Sequence, residues 1–305
     1  MPEGDSIFRA ARALHQALAG RTVSRFESVF PHLTNPLEDH PLAGQVIERV
    51  EPRGKHLLMW FSGGTVLCTH MRMHGSWHLY RPGERWQRPH HDMRIVLETP
   101  DIVAVAFNVP IAELEASATV EEAGATRSGS GRGSTVSSRS GTSHRHDPEA
   151  LRDLGPDPLR EGFDVSAAAA RLRERGGIEI ADALLDQQAI AGIGNIYKSE
   201  TLFAAGVNPF TPVAALTREQ VETIVAAAAK FMRANVAETS RGMATYSGVR
   251  RTTGRFDPGA RFWVYRRAGK PCRRCGTPIS RVRQGPYARS TYWCSKCQAA
   301  GDRPT

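Results

Sequence analysis

The amino-acid sequence predicts an α+β protein with a helix at its N-terminus, a β-rich first half, a helical second half and a small β-hairpin near its end. Three observations indicate this class. Short β-type segments fill residues 22–109, helical periodicity follows residue 154, and two paired-cysteine motifs lie between residues 272 and 297. The chain has 305 residues, which is enough for two domains that each bury a core.

The charge balance favours a polyanionic partner. The 40 Lys and Arg residues exceed the 31 Asp and Glu residues, which gives a formal net charge of +9, and nucleic acid is the first candidate for such a basic protein. The sequence contains no run of about 18 apolar residues, so we expect no membrane association. Its first residues lack the basic and apolar regions of a secretory signal. We therefore expect a cytoplasmic protein, associated with the nucleoid if it is bacterial.

The first helix is predicted from residue 6 to residue 19. Its apolar residues recur with helical spacing, and Gly20 ends it. The preceding Pro2 and Glu3 have two interpretations. Proline is tolerated in a first helical turn, and an acid there suits the helix dipole. Alternatively, removal of the initiator methionine exposes the secondary amine of Pro2, whose pKa of about 8 leaves a nucleophilic fraction unprotonated at neutral pH.

The residues after this helix predict a β-sandwich or a β-barrel. The β-type runs between residues 22 and 109 are TVSRFESVF, QVIERVEPRG, HLLMWFSGGTVLCTHM, SWHLY, MRIVLET and DIVAVAFNV. Turn signals at 63–64, 81–83 and 99–101 separate them. Several short strands with regular turns are typical of both architectures.

Residues 116–148 are predicted to be a disordered, low-complexity insertion. They are rich in Ser, Gly, Thr and Arg and nearly free of large apolar side chains, so burial would not offset the entropy lost on ordering. The chain is thereby divided into an N-terminal β domain (1–115), the insertion (116–148), a helical domain (149–255) and a terminal hairpin module (256–305).

The helical domain is predicted to contain a helix, a glycine-rich turn and a second helix in the stretch ALLDQQAIAGIGNIYKSETLFAAG. Gly192 and Gly194 let the backbone approach a ligand closely, and the N–H groups of the next helix favour an anion. Asn195 at this corner either caps the helix or donates its amide to a phosphate. A longer helix follows, and Thr217 and Gln220 form a capping-box pattern at its start.

Two cysteine pairs predict a metal site. Cys272 and Cys275 form one CxxC motif, Cys294 and Cys297 form another, and 18 residues separate the pairs. Four thiolates can complete a tetrahedral shell around one Zn²⁺, which leaves no open position and makes the zinc structural. A redox-active CxxC is the alternative. The fifth cysteine, Cys68, lies in an apolar run and is interpreted as a core residue.

The hairpin between the cysteine pairs carries a concentration of arginine. A turn at 284–286 separates two β-like arms, and five arginines lie on this module: Arg273, Arg274, Arg281, Arg283 and Arg289. A stiff finger with several guanidinium groups suits a nucleic-acid groove, although solvated surface charge is the alternative for any one of them. Histidines recur every four residues at His70, His74 and His78, but in a β-type stretch this spacing predicts no second metal site.

These motifs together resemble the formamidopyrimidine-DNA glycosylase/endonuclease VIII family of bifunctional base-excision repair enzymes. The matching stretches, in order, are MPEG at the start, RGKHLL at 53–58, THMRMHGSW at 69–77, LGPDPL at 154–159, GIGNIYKSETLFAAGVNP and the terminal cysteine hairpin. The resemblance covers the chain apart from 116–148. It implies a β-sandwich with an N-terminal helix, a helix–two-turns–helix domain and a zinc finger hairpin, with damaged DNA bound between the two halves of what we expect to be a monomer.

The resemblance also implies catalytic residues. Pro2 is the nucleophile that attacks C1′ of the damaged nucleotide, and the resulting iminium cation allows β-elimination and then δ-elimination of the two phosphates. Glu3 protonates the opening sugar and shuttles protons. Lys55 corresponds to a lysine that donates a proton during β-elimination, although on sequence alone it could equally be a surface lysine. Arg289 corresponds to a finger arginine that binds phosphate and assists δ-elimination.

DNA-binding residues are implied by the same resemblance. His91 and Asn195 match positions that contact DNA phosphates. Met73 matches the residue that fills the gap left by the extruded base, either alone or with Arg72. Such a residue is needed because chemistry at C1′ requires the nucleotide to leave the base stack.

Three departures from the family pattern influence the expected substrate. Ser6 replaces a usual glutamate, Ala181 replaces a lysine, and the DPRRFG stretch that reads the base opposite 8-oxoguanine is absent, with AFNVPIAEL in its place. These differences favour an endonuclease VIII-like enzyme that acts on oxidised pyrimidines. Two alternatives stay open: an enzyme that is mainly an AP lyase on abasic sites, and a catalytically inactive protein that only binds damaged DNA.

Overall fold

The computed structural model describes residues 2–34, 41–116, 151–237, 250–255 and 257–299. The predicted insertion therefore lies outside the described residues, except for residue 116, which ends a β-strand. In the described part of the chain, β-strands dominate up to residue 116 and helices dominate from residue 151 to residue 237. The α+β class predicted from the sequence is confirmed.

The N-terminal half is a β-sandwich with one long helix. Helix α1 spans Gly4–Leu18, and a short helix α2 spans Pro31–Thr34. The strands are β1 (Arg25–Ser28), β2 (Ile47–Arg53), β3 (His56–Phe61), β4 (Thr65–His70), β5 (Ser76–Tyr80), β6 (Met93–Glu98), β7 (Val103–Phe107) and β8 (Ile111–Ala116). One antiparallel sheet has the order β1-β6-β7-β5 and the other has the order β2-β3-β4-β8. Strand β8 is not among the predicted strands.

The core of the sandwich joins α1 to the inner faces of both sheets. The predicted apolar stripe of α1 is buried there: Ile7, Ala10, Ala11, Leu14 and Leu18. Alternate residues of β3, namely Leu57, Met59 and Phe61, belong to the same cluster, as expected for one face of a pleated strand. Full burial of each such side chain contributes about 1.5–3 kcal/mol. Helix α1 is therefore an integral part of this half of the molecule.

The helical half contains four described helices: α3 (Val165–Arg173), α4 (Ile180–Ala183), α5 (Asn195–Ala205) and α6 (Arg218–Ala237). The predicted capping box begins α6, because the Thr217 N–H donates to Gln220 Oε1 at 2.9 Å and the Gln220 N–H donates to Thr217 Oγ1 at 3.3 Å. None of these helices is long and apolar enough to cross a lipid bilayer.

The helix predicted immediately before the glycine-rich turn is mostly wrong. Only the short α4 is helical, and turns occupy residues 184–194. The physical reason is that the backbone of this stretch bonds to the LGPDPL segment. The Gly155 N–H donates to the Gln187 carbonyl at 2.8 Å, and the Ala191 N–H donates to the Pro156 carbonyl at 3.0 Å.

The terminal hairpin consists of β9 (Ser280–Gln284) and β10 (Arg289–Trp293), which pair antiparallel around the predicted turn. Strand β10 lies against α5. A separate apolar cluster anchors the hairpin module to this helix: Phe203, Val264, Cys272, Ile279 and Cys294.

Glu200 of α5 ties the hairpin module to the helical half through a buried carboxylate. It accepts hydrogen bonds from three consecutive backbone N–H groups, of Trp263 at 2.8 Å, Val264 at 2.9 Å and Tyr265 at 2.8 Å. The Thr252 hydroxyl donates to the same carboxylate. Burial raises the pKa of Glu200, although these hydrogen bonds oppose the shift. The carboxylate therefore determines the path of the chain into the hairpin module.

Glu200→Gln is expected to lower the free energy of unfolding by about 2–4 kcal/mol, because the new amide places a donor against backbone donors in a buried site. Urea unfolding followed by circular dichroism measures the change. Glu161→Gln, at an exposed position, is the matched control and should leave stability unchanged. A Glu200→Gln protein as stable as the wild type would contradict the assigned role.

Candidate active site

Glu3 lies at the junction between the two halves of the molecule. Its carboxylate is fully buried and accepts hydrogen bonds from the N–H groups of Gly194 at 3.2 Å, Ile196 at 2.8 Å and Tyr197 at 3.2 Å. These groups belong to the N-terminus of α5, where N–H groups lack partners within the helix and the helix dipole favours a negative charge. The anion predicted at the glycine-rich turn is therefore the protein's own carboxylate.

The capping interpretation of Asn195 is wrong. Gly194 occupies the N-cap position of α5, and the cap is supplied by Glu3 from outside the helix. A Cβ atom at Gly194 would lie 2.5 Å from Cδ of Glu3, so only glycine fits there. The Oδ1 atom of Asn195 is buried and has no hydrogen-bond partner within the described residues.

Pro2 is held at the same junction by its neighbours. It is half-buried and directly precedes Glu3. The Gly4 N–H donates to the Gly192 carbonyl at 2.9 Å, and a Cβ atom at Gly4 would lie 2.7 Å from Cε of Met232. The N-terminal residues thus lie between the glycine-rich turn and α6, which restricts where the nitrogen of Pro2 can point.

The sequence analysis did not predict a buried ion pair that lies beside these N-terminal residues. Arg250 donates to both carboxylate oxygens of Asp5, through Nε at 2.8 Å and Nη2 at 2.7 Å, and also to the Ser6 hydroxyl. Its guanidinium lies 5.6 Å from the Tyr197 ring. Ser6 thus helps Asp5 to bind Arg250, although Ser6 itself carries no carboxylate. The one signal in the sequence was a second acid in PEGDSIF.

Lys55 lies in the turn between β2 and β3. Gly54 has a φ of 57°, and its N–H donates to Asp157 Oδ2 at 3.0 Å, while Asp157 Oδ1 accepts from the Leu159 N–H at 2.9 Å. The LGPDPL segment thus orients the turn that contains Lys55. Burial lowers the pKa of Lys55 to about 8, the charge of Glu3 opposes that shift and the charge of Arg289 adds to it.

Three of the four predicted catalytic residues therefore interact electrostatically. Arg289 begins β10 and is exposed, and its charge lowers the pKa of Lys55 from the opposite half of the molecule. Glu3 acts on the same lysine. With Pro2 bonded to Glu3, the candidate site brings together a potential nucleophile, a carboxylate, an ammonium and a guanidinium.

A histidine pair that was not predicted as a functional feature lies next to Lys55. The rings of His56 and His70 meet edge-on with centroids 4.7 Å apart. Burial lowers the pKa of both residues to about 4, so the rings are neutral at pH 7. Nδ1 of His56 is buried without a hydrogen-bond partner in the described part of the chain. The pair therefore adds no positive charge next to Lys55.

Arg72 and Met73, the residues predicted to fill the gap left by an extruded base, lie in a tight turn. This turn is at the same end of the sandwich as Lys55, because His70 pairs with His56. The turn closes when the Gly75 N–H donates to the Met71 carbonyl at 2.8 Å. Met73 is 50% exposed, which is unusual for a methionine and leaves it free to contact a ligand. Arg72 is exposed and has a φ of 43°, a strained conformation for a residue with a side chain.

The connection from β7 to β8 is short, as expected when the DPRRFG stretch is absent. It consists of residues 108–110, in place of the absent DPRRFG stretch. Asn108 has a φ of 51° and donates its N–H to the Asp92 carbonyl at 2.7 Å, and Val109 is fully buried. Arg72 and Met73, by contrast, are exposed. His91 lies beside the turn with its side chain 82% exposed.

The four predicted metal ligands converge. Their sulfur atoms all lie within 4.8 Å of one another, with Cys272 Sγ 3.9 Å from Cys297 Sγ and Cys275 Sγ 3.4 Å from Cys294 Sγ. A tetrahedral Zn²⁺ with bonds of about 2.3 Å to thiolates requires such separations. The residues thus fit one structural zinc ion. Cys68 is buried in a separate apolar cluster, as predicted.

The arginines of the hairpin module divide into two groups. Arg281 and Arg283 of β9 and Arg289 of β10 are exposed. Arg273 instead has partners within the protein, because its guanidinium donates to the carbonyls of Phe262 at 3.1 Å and Gly259 at 2.5 Å. Arg274 lies over the Phe203 ring at 4.6 Å. The histidines His70, His74 and His78 lie in a strand, a turn and another strand, and form no metal-binding group among the described residues.

Comparison with known proteins agrees with this arrangement. Three family models match the chain: the formamidopyrimidine-DNA glycosylase N-terminal domain over residues 1–110, the formamidopyrimidine-DNA glycosylase H2TH domain over residues 154–247, and a zinc finger found in FPG and IleRS over residues 269–300. A solved complex between the Lactococcus lactis Fpg and DNA containing an abasic site shares the fold, with a TM-score of 0.74 and 23% identity over 98% of this chain and 100% of that one.

Curated relatives extend over nearly the whole chain. The probable endonuclease 8 2 of Streptomyces coelicolor is 38% identical over 302 residues, which cover 98% of this chain and 94% of the relative. The DNA-(apurinic or apyrimidinic site) lyase Nei2 of Mycolicibacterium smegmatis is 35% identical over 300 residues, which cover 98% of this chain and 100% of the relative. At these identities and coverages, the chain belongs to the formamidopyrimidine-DNA glycosylase/endonuclease VIII family.

Proposed function

We propose that this protein is a base-excision repair DNA glycosylase with AP lyase activity, which removes oxidised bases and favours oxidised pyrimidines. The observation that carries the proposal is the position of Pro2. The proline directly precedes a carboxylate that caps α5, and this carboxylate interacts with Lys55, which in turn interacts with Arg289. The relatives named endonuclease 8 and AP lyase support the same conclusion.

In the proposed first step, the unprotonated nitrogen of Pro2 bonds to C1′ of the damaged nucleotide, and the base leaves with the electrons of its glycosidic bond. The nitrogen then loses its proton, and Glu3 relays a proton to the ring oxygen as the sugar opens. The product is a C1′=N⁺ iminium. Because the proline nitrogen is secondary, this imine is cationic without further protonation.

The iminium then permits two eliminations. It acidifies the C2′ proton, whose loss breaks the C3′–O3′ bond and releases the 3′ phosphate with the bonding electrons. Loss of the C4′ proton next breaks the C5′–O5′ bond and releases the 5′ phosphate. We assign proton donation in the first elimination to Lys55 and stabilisation of the departing 5′ phosphate to Arg289.

DNA binding is assigned to residues from both halves. Met73, with Arg72 beside it, fills the gap left by the extruded nucleotide. His91 and Asn195 contact phosphates, and the exposed arginines of the hairpin extend this contact. The DPRRFG stretch is replaced by a short connection at 108–110 in which Val109 is buried, and this supports the proposed pyrimidine preference. We accordingly propose that the chain is divided into a catalytic domain (1–115), the insertion (116–148), a DNA-binding domain (149–255) and a zinc finger (256–305).

An enzyme that is mainly an AP lyase is the second candidate. The relative named as a DNA-(apurinic or apyrimidinic site) lyase favours it. Both candidates use the same covalent chemistry, and they differ in whether base removal is efficient. For both candidates we propose a monomer that acts on damaged DNA in the cytoplasm, associated with the nucleoid if the protein is bacterial.

Pro2→Gly is expected to keep its affinity for DNA but to form the covalent adduct about 100-fold more slowly, because the ring that orients the nitrogen is lost. Borohydride trapping on duplexes containing an abasic site or thymine glycol measures the adduct. Pro82→Gly, at an exposed turn, is the control. Trapping by the wild type on abasic DNA alone would favour the AP lyase, and binding without any trapping would show an inactive damaged-DNA-binding protein.

Strand cleavage at an abasic site is expected to slow as the pH rises through about 8. The lowered pKa of Lys55 means that its ammonium, the assigned proton donor, is present below that pH and is lost above it. Lys55→Arg should remove this alkaline decline because arginine stays charged, and Lys55→Met should be slower at every pH. Lys230→Arg on the exposed face of α6 is the control. An identical alkaline decline in Lys55→Arg would exclude the assigned role.

Cys272→Ser is expected to release zinc and to weaken DNA binding by about tenfold or more, because the metal holds the two ends of the hairpin together. Zinc content by atomic emission and affinity by fluorescence anisotropy measure the two effects. Cys68→Ala serves as a control at a cysteine outside the metal cluster. Full affinity in a zinc-free Cys272→Ser protein would show that the hairpin is dispensable for binding.

A further inference from the structure

Lys198 is a fully buried lysine that the mechanism above does not use. It lies in the first turn of α5, the helix whose N-terminus is capped by Glu3. Lysine is almost never fully buried without a specific partner, since its ammonium loses hydration. The partner of Lys198 therefore indicates what the side chain does.

That partner lies on the zinc finger hairpin. Nζ of Lys198 donates a hydrogen bond to Oγ1 of Thr291 at 2.9 Å. The Thr291 hydroxyl donates its proton to Oε1 of Gln284 at 2.7 Å. Because a hydroxyl has one proton to donate, Thr291 is oriented to accept from the lysine. The hydrogen bonds therefore run, from donor to acceptor, from Lys198 to Thr291 and from Thr291 to Gln284.

The chain of hydrogen bonds continues into the helical half. Nε2 of Gln284 donates to Glu179 Oε2 at 2.6 Å and to the Pro209 carbonyl at 3.1 Å. The following Gly285 packs so closely on α4 that a Cβ atom there would lie 2.4 Å from Oδ1 of Asp182. Both strands of the hairpin are therefore attached to the helical half by buried polar contacts.

The charge of Lys198 also acts on the candidate active site. Burial lowers its pKa to about 8, Asp182 and Glu3 oppose the shift, and Arg289 adds to it. Arg289 and Thr291 are two residues apart on β10, so their side chains lie on the same face of the strand. A hydrogen bond that fixes Thr291 therefore also fixes the backbone from which the Arg289 side chain extends.

We propose that Lys198 is a positioning residue, which fixes β10 through Thr291 and thereby holds Arg289 where the 5′ phosphate departs in the second elimination. The inference rests on the proposed lyase function. Loss of the C4′ proton to a base and release of the phosphate with the electrons of the C5′–O5′ bond require a cation at the departing group. In the proposed mechanism, no group of this strand acts on the reacting atoms during formation of the iminium or release of the 3′ phosphate.

The test compares Lys198→Met, Thr291→Val and Thr291→Ser in the zinc-loaded full-length protein. End-labelled duplex DNA with one abasic site reports the ratio of δ-elimination to β-elimination products, and borohydride trapping in the same reactions reports the iminium. Lys198→Met and the isosteric Thr291→Val should lower the ratio about tenfold while trapping stays at the wild-type level. Thr291→Ser keeps the hydroxyl and should keep the wild-type ratio.

Thermal unfolding and zinc content show whether each variant is folded, and the Thr291 pair decides the matter if Lys198→Met does not fold. A wild-type product ratio in folded Lys198→Met and Thr291→Val proteins overturns the inference. So does a fall in trapping that parallels the fall in the ratio, because the effect would then be a general loss of the site. A wild type that traps but stops after β-elimination overturns the inference and leaves the lyase function intact, whereas a wild type that never traps overturns the function.

Discussion

The arrangement of the candidate site depends on the contact between Glu3 and the N-terminus of α5. The carboxylate of Glu3, the residue immediately before α1, satisfies N–H groups that α5 cannot satisfy itself. Removal of water strengthens this contact, because the charge meets the positive end of the helix dipole in a fully buried place. The contact joins the β-sandwich to the helical half at the position where Pro2 lies.

Other buried contacts reinforce this junction. Asp157 holds the turn before Lys55 from the helical side, and Asp5 binds Arg250 across the same boundary. Burial raises the pKa of Asp157, and two backbone N–H groups oppose that shift. The buried carboxylates at the junction are compensated by Arg250 and by backbone N–H groups. A site built in this way has its geometry before a substrate arrives, which is what electrostatic catalysis requires.

Features with a local physical cause could be predicted from the sequence. The stripe of α1, the capping box of α6, the zinc ligands and the hairpin turn depend on residues close together in the chain, and the structure has them as predicted. The resemblance also selected Glu3, Lys55 and Arg289, and the charges of Glu3 and Arg289 act on the pKa of Lys55. Features that depend on distant partners were missed or wrong. The pairing of Asp5 with Arg250 spans 245 positions, the carbonyl partners of Arg273 come from a loop before it, and β8 needs β4 beside it to be recognisable.

The close approach of Gly194 to Glu3 also has a consequence for how such chains diverge. With 2.5 Å between a hypothetical Cβ at 194 and the carboxyl carbon of residue 3, a side chain at 194 does not fit while the acid at position 3 stays where it is. A descendant that acquires a side chain at 194 must first retract the acid at position 3, and would then lose the helix cap along with the proton carrier. The residue at position 194 is therefore constrained by an acid that lies 191 positions earlier in the chain.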